Sequence, residues 1–170
     1  MRSAWSVWCW VAAAAFAGCG LDVVEVSVTE TGGAGMVAVQ FPGMGQFGSS
    51  LGRALSDKDV DPSDVDSLKP ISARLVMTSQ GGLTSDLSFL HDLAFLASAT
   101  GLDGAVLASQ ASFPSGTRAS DLAVPEDLEL KPFLEAGDMA ITVDATLDPP
   151  PPDLVELQVT FRFRVDANVM

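Results

Sequence analysis

Cysteine, histidine and the polar aromatic residues are nearly absent from this chain, and each absence removes a class of function. Only two of the 170 residues are Cys, one is His and none is Tyr. Zinc, iron and copper sites are built largely from thiolate and imidazole groups, so we expect no such metal and no cofactor. All three Trp lie within the first ten residues, which weakens a lectin-like role for the rest because sugar binding usually relies on Trp or Tyr faces.

Positive charge is also scarce. Nine Lys and Arg stand against 22 Asp and Glu, which gives a formal net charge of −13 at pH 7. Such a surface repels phosphate backbones and anionic lipid head groups, so we expect no nucleic-acid partner and no membrane binding through charge alone.

The first nineteen residues, MRSAWSVWCWVAAAAFAGC, are organised as an export signal. Arg2 supplies a positive n-region, Val7 to Ala17 form an uncharged apolar h-region, and small residues precede Cys19. This arrangement resembles the lipobox of bacterial lipoproteins, in which the Cys is acylated and the peptide is cleaved before it. The resemblance implies a signal peptide at 1–18 and a mature domain at 19–170, held to a membrane by acyl chains on Cys19.

Two other interpretations of this segment stay open. Ala15-Phe16-Ala17 also fits the cleavage site of an ordinary secretory signal, which would leave a soluble protein that begins at Gly18. An uncleaved anchor is the third, but the apolar stretch 4–18 is shorter than the ~20 residues that a spanning helix needs. If the protein is a lipoprotein, we expect it in the bacterial cell envelope. Gly20, directly after the Cys, favours sorting to the outer membrane.

Removal of the signal changes the composition of the domain. Its aromatic residues are then eight Phe, its one Cys is the lipid site, and its charge is −14, from eight Lys and Arg against 22 Asp and Glu. We therefore expect a single domain that is stabilised by its core and not by disulfides.

Strand signals dominate the rest of the chain. Apolar residues alternate with polar ones at 157–167 and at 139–147, and Asp148-Pro-Pro-Pro-Pro-Asp153 separates these runs. Since prolines cannot join a ladder, the pattern predicts an antiparallel pair across a stiff loop. Further strands are predicted where alternation is shorter or weaker, at 24–28, 71–77, 93–99, 105–110 and 127–130.

Helical signals are local. Short helices or turns are predicted at 51–56, 61–68, 88–92 and 131–137, and the glycine-rich segment 32–52 is expected to be flexible. About seven or eight strands with frequent turns predict an all-β fold, an antiparallel β-sandwich, with a small β-barrel as the alternative.

Two patterns invite a specific chemistry. Gly48-Ser49-Ser50-Leu51-Gly52 matches the G-x-S-x-G nucleophile elbow, which suggests a small secreted hydrolase that uses Ser50. The α/β pattern of such enzymes is missing, and we expect the one histidine, His91, to be a turn residue with a hydrogen-bonded ring and not a general base. We therefore favour a protein that is not an enzyme.

The densest acidic cluster suggests a calcium-binding surface domain, since Ca²⁺ prefers oxygen ligands. Its members are Asp57, Asp59, Asp61, Asp64 and Asp66. An EF-hand loop beginning at Asp57 would need Gly and Glu where this chain has Pro62 and Leu68. Helix caps and a solvated acidic face are the favoured interpretation.

From about Asp64 onward the chain resembles myxobacterial-type β-sandwich lipoproteins. The resemblance depends on three short segments: Val65-Asp66-Ser67-Leu68, Asp86-Leu87-Ser88-Phe89-Leu90 and Lys131-Pro132-Phe133-Leu134. That family implies the fold and the envelope location but brings no activity, substrate or catalytic residue. The sequence thus favours a non-catalytic binding or structural module, or an accessory subunit that contacts an envelope protein.

Overall fold

Eight strands and two short helices make up the computed structural model, which describes residues 22–80 and 82–168. The strands are β1 Asp22–Ala34, β2 Val39–Gln40, β3 Val65–Met77, β4 Leu90–Ser98, β5 Ala105–Ala111, β6 Ala119–Leu122, β7 Ala140–Leu147 and β8 Val155–Ala167. The helices are α1 Phe47–Ser56 and α2 Lys131–Ala136, and 3-10 turns occupy Pro42–Gln46, Pro62–Asp64 and Leu87–Phe89.

The strands form two antiparallel sheets. The larger has the order β2-β1-β8-β3-β6 and the smaller the order β5-β4-β7. Neither sheet closes on itself, so the predicted antiparallel β-sandwich of seven or eight strands is confirmed and the small barrel is wrong.

Phenylalanines join the two sheets at the centre of the core. Phe161 of β8 is fully buried, and its ring centroid lies 5.2 Å from that of Phe95 on β4 in the smaller sheet. The same ring lies 5.6 Å from that of Phe47 on α1. Both pairs meet edge to face, a favourable geometry for aromatic rings. One side chain therefore ties together both layers and the helix.

The two open sides of the sandwich are closed differently. On one side α1 lies between β1 and β7, and the Gly48 amide donates to the Met139 carbonyl at 2.9 Å. On the other side Ser109 and Ala123 exchange backbone hydrogen bonds of 2.9 and 2.8 Å, which link β5 to the chain beyond β6.

The expectation of a flexible segment at 32–52 is corrected. The structure places the end of β1, all of β2, a 3-10 turn and half of α1 there. Phe41, Met44, Phe47 and Leu51 from this segment are buried. Burying these side chains offsets the entropy that the glycines lose on ordering.

The predicted pairing of the last two strands is wrong. β8 pairs with β1 and β3, whereas β7 pairs with β4 in the other sheet. The proline loop therefore crosses from one sheet to the other and is not a hairpin. Alternation specifies which face of a strand is buried but not which strand lies beside it.

Three smaller expectations also need correction. Residues 127–130 form no strand, because Leu130 leads into α2 and its amide donates to the Leu68 carbonyl at 2.8 Å. The turn after Asp61 was predicted to extend to about Leu68. It ends at Asp64, and β3 begins at the next residue, Val65. The alternation at 71–77 predicted that Ile71 lies on the buried face of its strand. Ile71 is instead 42% exposed, because a register shift lies between Pro70 and Ser72.

The long strands give the sandwich two distinct ends. At the proximal end Asp22 of β1 pairs with Ala167 of β8, and at the distal end Ala34 pairs with Val155. Thirteen residues at ~3.3 Å each separate these ends by about 40 Å. No helix within 22–80 and 82–168 is long and apolar enough to cross a bilayer.

Candidate functional site

Three strongly exposed apolar side chains share one groove at the distal end. Met36 and Val37, in the turn between β1 and β2, are 72% and 94% exposed, and Leu154, just before β8, is 74% exposed. They border a groove of about 780 Å³. Most of the hairpin between Thr31 and Pro42 lines it, together with Thr78, Leu154, Glu156 and Leu157. We call this feature the distal groove. Its volume falls within the range of ligand and peptide sites.

Glycine allows the hairpin that forms one wall of the distal groove. A Cβ atom on Gly32 would lie 2.2 Å from the Gln40 carbonyl oxygen and 2.5 Å from the Phe41 ring. The turn itself is closed by a hydrogen bond of 3.1 Å from the Gly35 amide to the Ala38 carbonyl. A side chain at position 32 would therefore clash with the residues that follow the turn, and Met36 and Val37 lie at the tip of this hairpin.

Asp153 holds the opposite wall. Its carboxylate accepts hydrogen bonds from the Leu83 amide at 2.8 Å, the Thr84 amide at 3.2 Å and the Thr84 hydroxyl at 2.7 Å. The hydroxyl bond is the main reason that the pKa of Asp153 lies below its usual value. These bonds tie the proline loop to the loop after β3 and so fix the position of Leu154.

The loop after β3 is also held by Arg118. Its guanidinium donates to the carbonyls of Ser85 at 3.0 Å and Met77 at 3.4 Å, and also to that of Ser79. Arg118 therefore fixes the loop after β3 through its guanidinium, while the residue as a whole remains exposed.

Charge at the distal groove has one sign. Glu156 is exposed, and among the described residues that line the groove it is the one that carries a charge. Among the described residues Glu156 makes no ion pair. The groove is thus an apolar surface with an available carboxylate at its edge.

The structure places Ser50 inside α1 and not at a strand-to-helix turn. Its hydroxyl donates to the Glu30 carboxylate at 3.0 Å. The whole G-x-S-x-G motif, from Gly48 to Gly52, is helical. A nucleophile elbow depends on a strained turn that exposes the Ser. The elbow geometry predicted from the motif is therefore absent at Ser50.

His91 is the second residue of β4 and not part of a turn. Its Nδ1 atom lies 2.5 Å from a carboxylate oxygen of Asp92. This hydrogen bond, together with the negative charge of Asp92, raises the pKa of His91. The expectation that its ring has a partner is confirmed, and that partner is Asp92 and not Ser50.

The five aspartates of the acidic cluster do not converge. Asp57 follows α1, Asp59 has a left-handed backbone with φ of 59°, and Asp61 caps a turn through the Ser63 amide at 2.8 Å. Asp66 accepts from the Asn168 side-chain amide at 2.5 Å. The carbonyl of Asp64, and not its carboxylate, bonds the Asn168 amide, at 3.0 Å.

A metal site is not formed by these groups. Within the part of the chain that the structure describes, no three acidic, Cys or His side chains come close enough together to hold a metal ion. The bond from the Ser63 side chain is the main cause of a lowered pKa at Asp61. Asp61 therefore acts as the cap that its position before Pro62 predicts.

The predicted lipidation site, Cys19, and the predicted signal peptide 1–18 lie outside the described residues. The distal groove was not predicted from the sequence. The one available signal was an apolar run, Met36-Val37-Ala38, that follows glycines and so belongs to a turn.

Comparison with known proteins gives no further assignment. No protein-family model, curated protein or solved structure matches this chain.

Proposed function

We propose that this protein is an envelope lipoprotein, anchored through Cys19, that works as a non-catalytic docking module for another envelope protein. The distal groove carries the proposal. Monomeric proteins rarely expose several large apolar side chains beside one another unless the surface binds something. Met36, Val37 and Leu154 are each more than two-thirds exposed and share one groove.

The position of the groove supports the same function. β1 begins three residues after Cys19, so acyl chains on that residue would hold the proximal end at the membrane. The distal groove is then the part of the domain that can lie farthest from the bilayer, by about 40 Å. A tether of this kind raises the effective concentration of the module near a membrane-bound partner.

The anchor is tested by a substitution at the lipid site. Wild-type protein is expected to partition into the detergent phase and to incorporate a fatty-acid analogue, because acyl chains supply the membrane affinity. Cys19→Ser should do neither, and Cys9→Ser is the matched control that should behave as wild type. A wild-type protein that stays in the aqueous phase and begins at Gly18 would contradict the anchor.

The docking surface is tested by photocrosslinking in intact cells. A photoreactive amino acid at Val37 should give one or a few reproducible adducts with envelope proteins, because this side chain is 94% exposed at the groove. The matched control is the same amino acid at Thr142, which is exposed on β7 and is not among the residues that line the groove. Leu154→Asp should remove the Val37 adducts. Adducts that are the same from both positions, or that survive Leu154→Asp, would refute docking at the groove.

A further inference from the structure

We propose that the distal groove recognises a short partner segment in which an aliphatic side chain is flanked by Lys or Arg. This inference rests on the proposed docking function and adds the chemistry of the partner. Three observations carry it: the apolar walls of the groove, the exposed Glu156 carboxylate at its edge, and the lack of any Lys or Arg among the described residues that line it.

The walls determine the apolar part of the partner. Met36 and Leu154 border the groove from two different loops. Met36 is unbranched and Leu154 is branched only at Cγ, so both side chains can adapt to an aliphatic group of the partner. Gly33 also lines the groove, and a Cβ atom there would lie 3.2 Å from the Val155 carbonyl oxygen and 3.4 Å from the Leu154 side chain. A side chain at position 33 would therefore press against the Leu154 wall, and glycine keeps this part of the groove open to an aliphatic side chain of the partner.

The charge determines the flanking part. Glu156 pairs in register with Gly33 across β1 and β8, so its exposed side chain lies beside the same part of the groove. Asp153 and Asp86 at this end are held by backbone amides, and Arg118 is directed at three carbonyls. The carboxylates of Glu156, Asp153 and Asp86 thus outnumber the one guanidinium of Arg118 here, and a Lys or Arg of the partner is the group that complements the resulting negative field.

The overall charge of the protein points the same way. With a net charge of −13, the molecule repels acidic segments and attracts basic ones before contact. An aliphatic segment with acidic flanks would meet Glu156 as well as this general repulsion. Charge thus adds selectivity to an otherwise permissive apolar groove.

The test uses two fluorescein-labelled peptides, Lys-Leu-Val-Leu-Lys and Glu-Leu-Val-Leu-Glu, with the full-length protein in detergent and fluorescence anisotropy as the readout. We expect the basic peptide to bind saturably and about tenfold more tightly than the acidic one, equivalent to roughly 1.4 kcal/mol. Its affinity should fall as salt is added, because the contact with Glu156 is exposed.

Variants separate the two parts of the recognition. Glu156→Lys should abolish or reverse the preference between the peptides, and Met36→Asp should weaken binding of the basic peptide. Glu135→Lys is the matched control for charge, since Glu135 is exposed on α2 away from the groove, and it should leave the preference intact.

The outcomes distinguish this inference from the proposed docking function. Equal binding of both peptides, or a preference that Glu156→Lys does not change, overturns the basic-flank specificity. If neither peptide binds but the Val37 crosslinks are found and are lost in Leu154→Asp, docking stands and the peptide chemistry is wrong. If neither the peptides nor the crosslinks are found, both proposals fail.

Discussion

Glu129 is the best place to test how the domain holds its helical segment against the sheet. Its carboxylate accepts from the Ser67 hydroxyl at 2.6 Å, the Leu68 amide at 2.7 Å and the Lys131 amide at 3.0 Å. The first two donors belong to β3 and the third to the start of α2. Glu129→Ala removes all three bonds and leaves two backbone amides without their acceptor.

The expected cost follows from these bonds. A hydrogen bond to a charged acceptor contributes about 1.5–3 kcal/mol when buried, but Glu129 is half-buried and water can reach some of the donors. We therefore expect Glu129→Ala to lower the free energy of unfolding by about 2–3 kcal/mol, a large part of the ~5–15 kcal/mol typical of a domain. Glu129→Gln keeps one acceptor oxygen and should cost about 1 kcal/mol.

The contribution also depends on pH in a defined direction. Burial raises the pKa of Glu129, but the hydrogen bonds from Ser67, Leu68 and Lys131, together with the charge of Lys69, outweigh burial, so the pKa lies below its usual value of 4.5. A lowered folded-state pKa stabilises the protein above the unfolded value, and this stability is lost as the pH falls through the folded value. The difference between wild type and Glu129→Gln should therefore be full at pH 7 and shrink below about pH 4.5.

Urea unfolding followed by circular dichroism measures this difference. The midpoint of Glu129→Ala should fall by about 1 M or more, while Glu126→Ala, an exposed change in the same loop, should shift it by little. If Glu129→Ala shifts the midpoint as little as Glu126→Ala, or if the effect of Glu129→Gln does not depend on pH, the hydrogen bonds of Glu129 to β3 and α2 are not what stabilises this region.

Two further predictions concern the core and the acidic cluster. Phe161→Ala should lower the free energy of unfolding by about 3–5 kcal/mol and Phe161→Leu by roughly 1–2 kcal/mol, because the ring bridges both sheets; equal effects in calorimetry would contradict that role. Calcium should leave the melting temperature within about 1 °C, because Asp57, Asp59, Asp61, Asp64 and Asp66 do not converge; a saturable shift with calcium but not magnesium would contradict this.

The fold class was predictable because period-two alternation is a local property. In β8 the buried Val159, Phe161 and Phe163 alternate with Thr160 and Arg162, and that pattern identifies a strand with one buried face. The neighbours of β8 were not predictable. Its pairing with β1 and β3 involves residues at least 80 positions away, and nothing in the alternation encodes that choice.

The distal groove could not be predicted from the sequence for the same reason. Met36 and Leu154 are more than a hundred residues apart in the sequence, and each alone is an ordinary apolar residue in a loop. They share a surface only because β1 and β8 pair along their whole length. In α1 the apolar spacing of Phe47, Leu51 and Leu55 was present in the sequence, but the surrounding glycines masked it.

The central position of β8 has a consequence for how the domain folds. β8 lies between β1 and β3 and hydrogen-bonds to both, although at least 80 residues separate its paired positions from β3 and at least 121 separate them from β1. Until β8 is in place, β1 and β3 have no strand between them, and the larger sheet cannot assemble. Because these contacts are so distant in the sequence, we expect the larger sheet to form slowly and as one unit. A change that disrupts β8 should therefore disrupt the larger sheet as a whole, whereas a change in β2 or β6 should affect one edge.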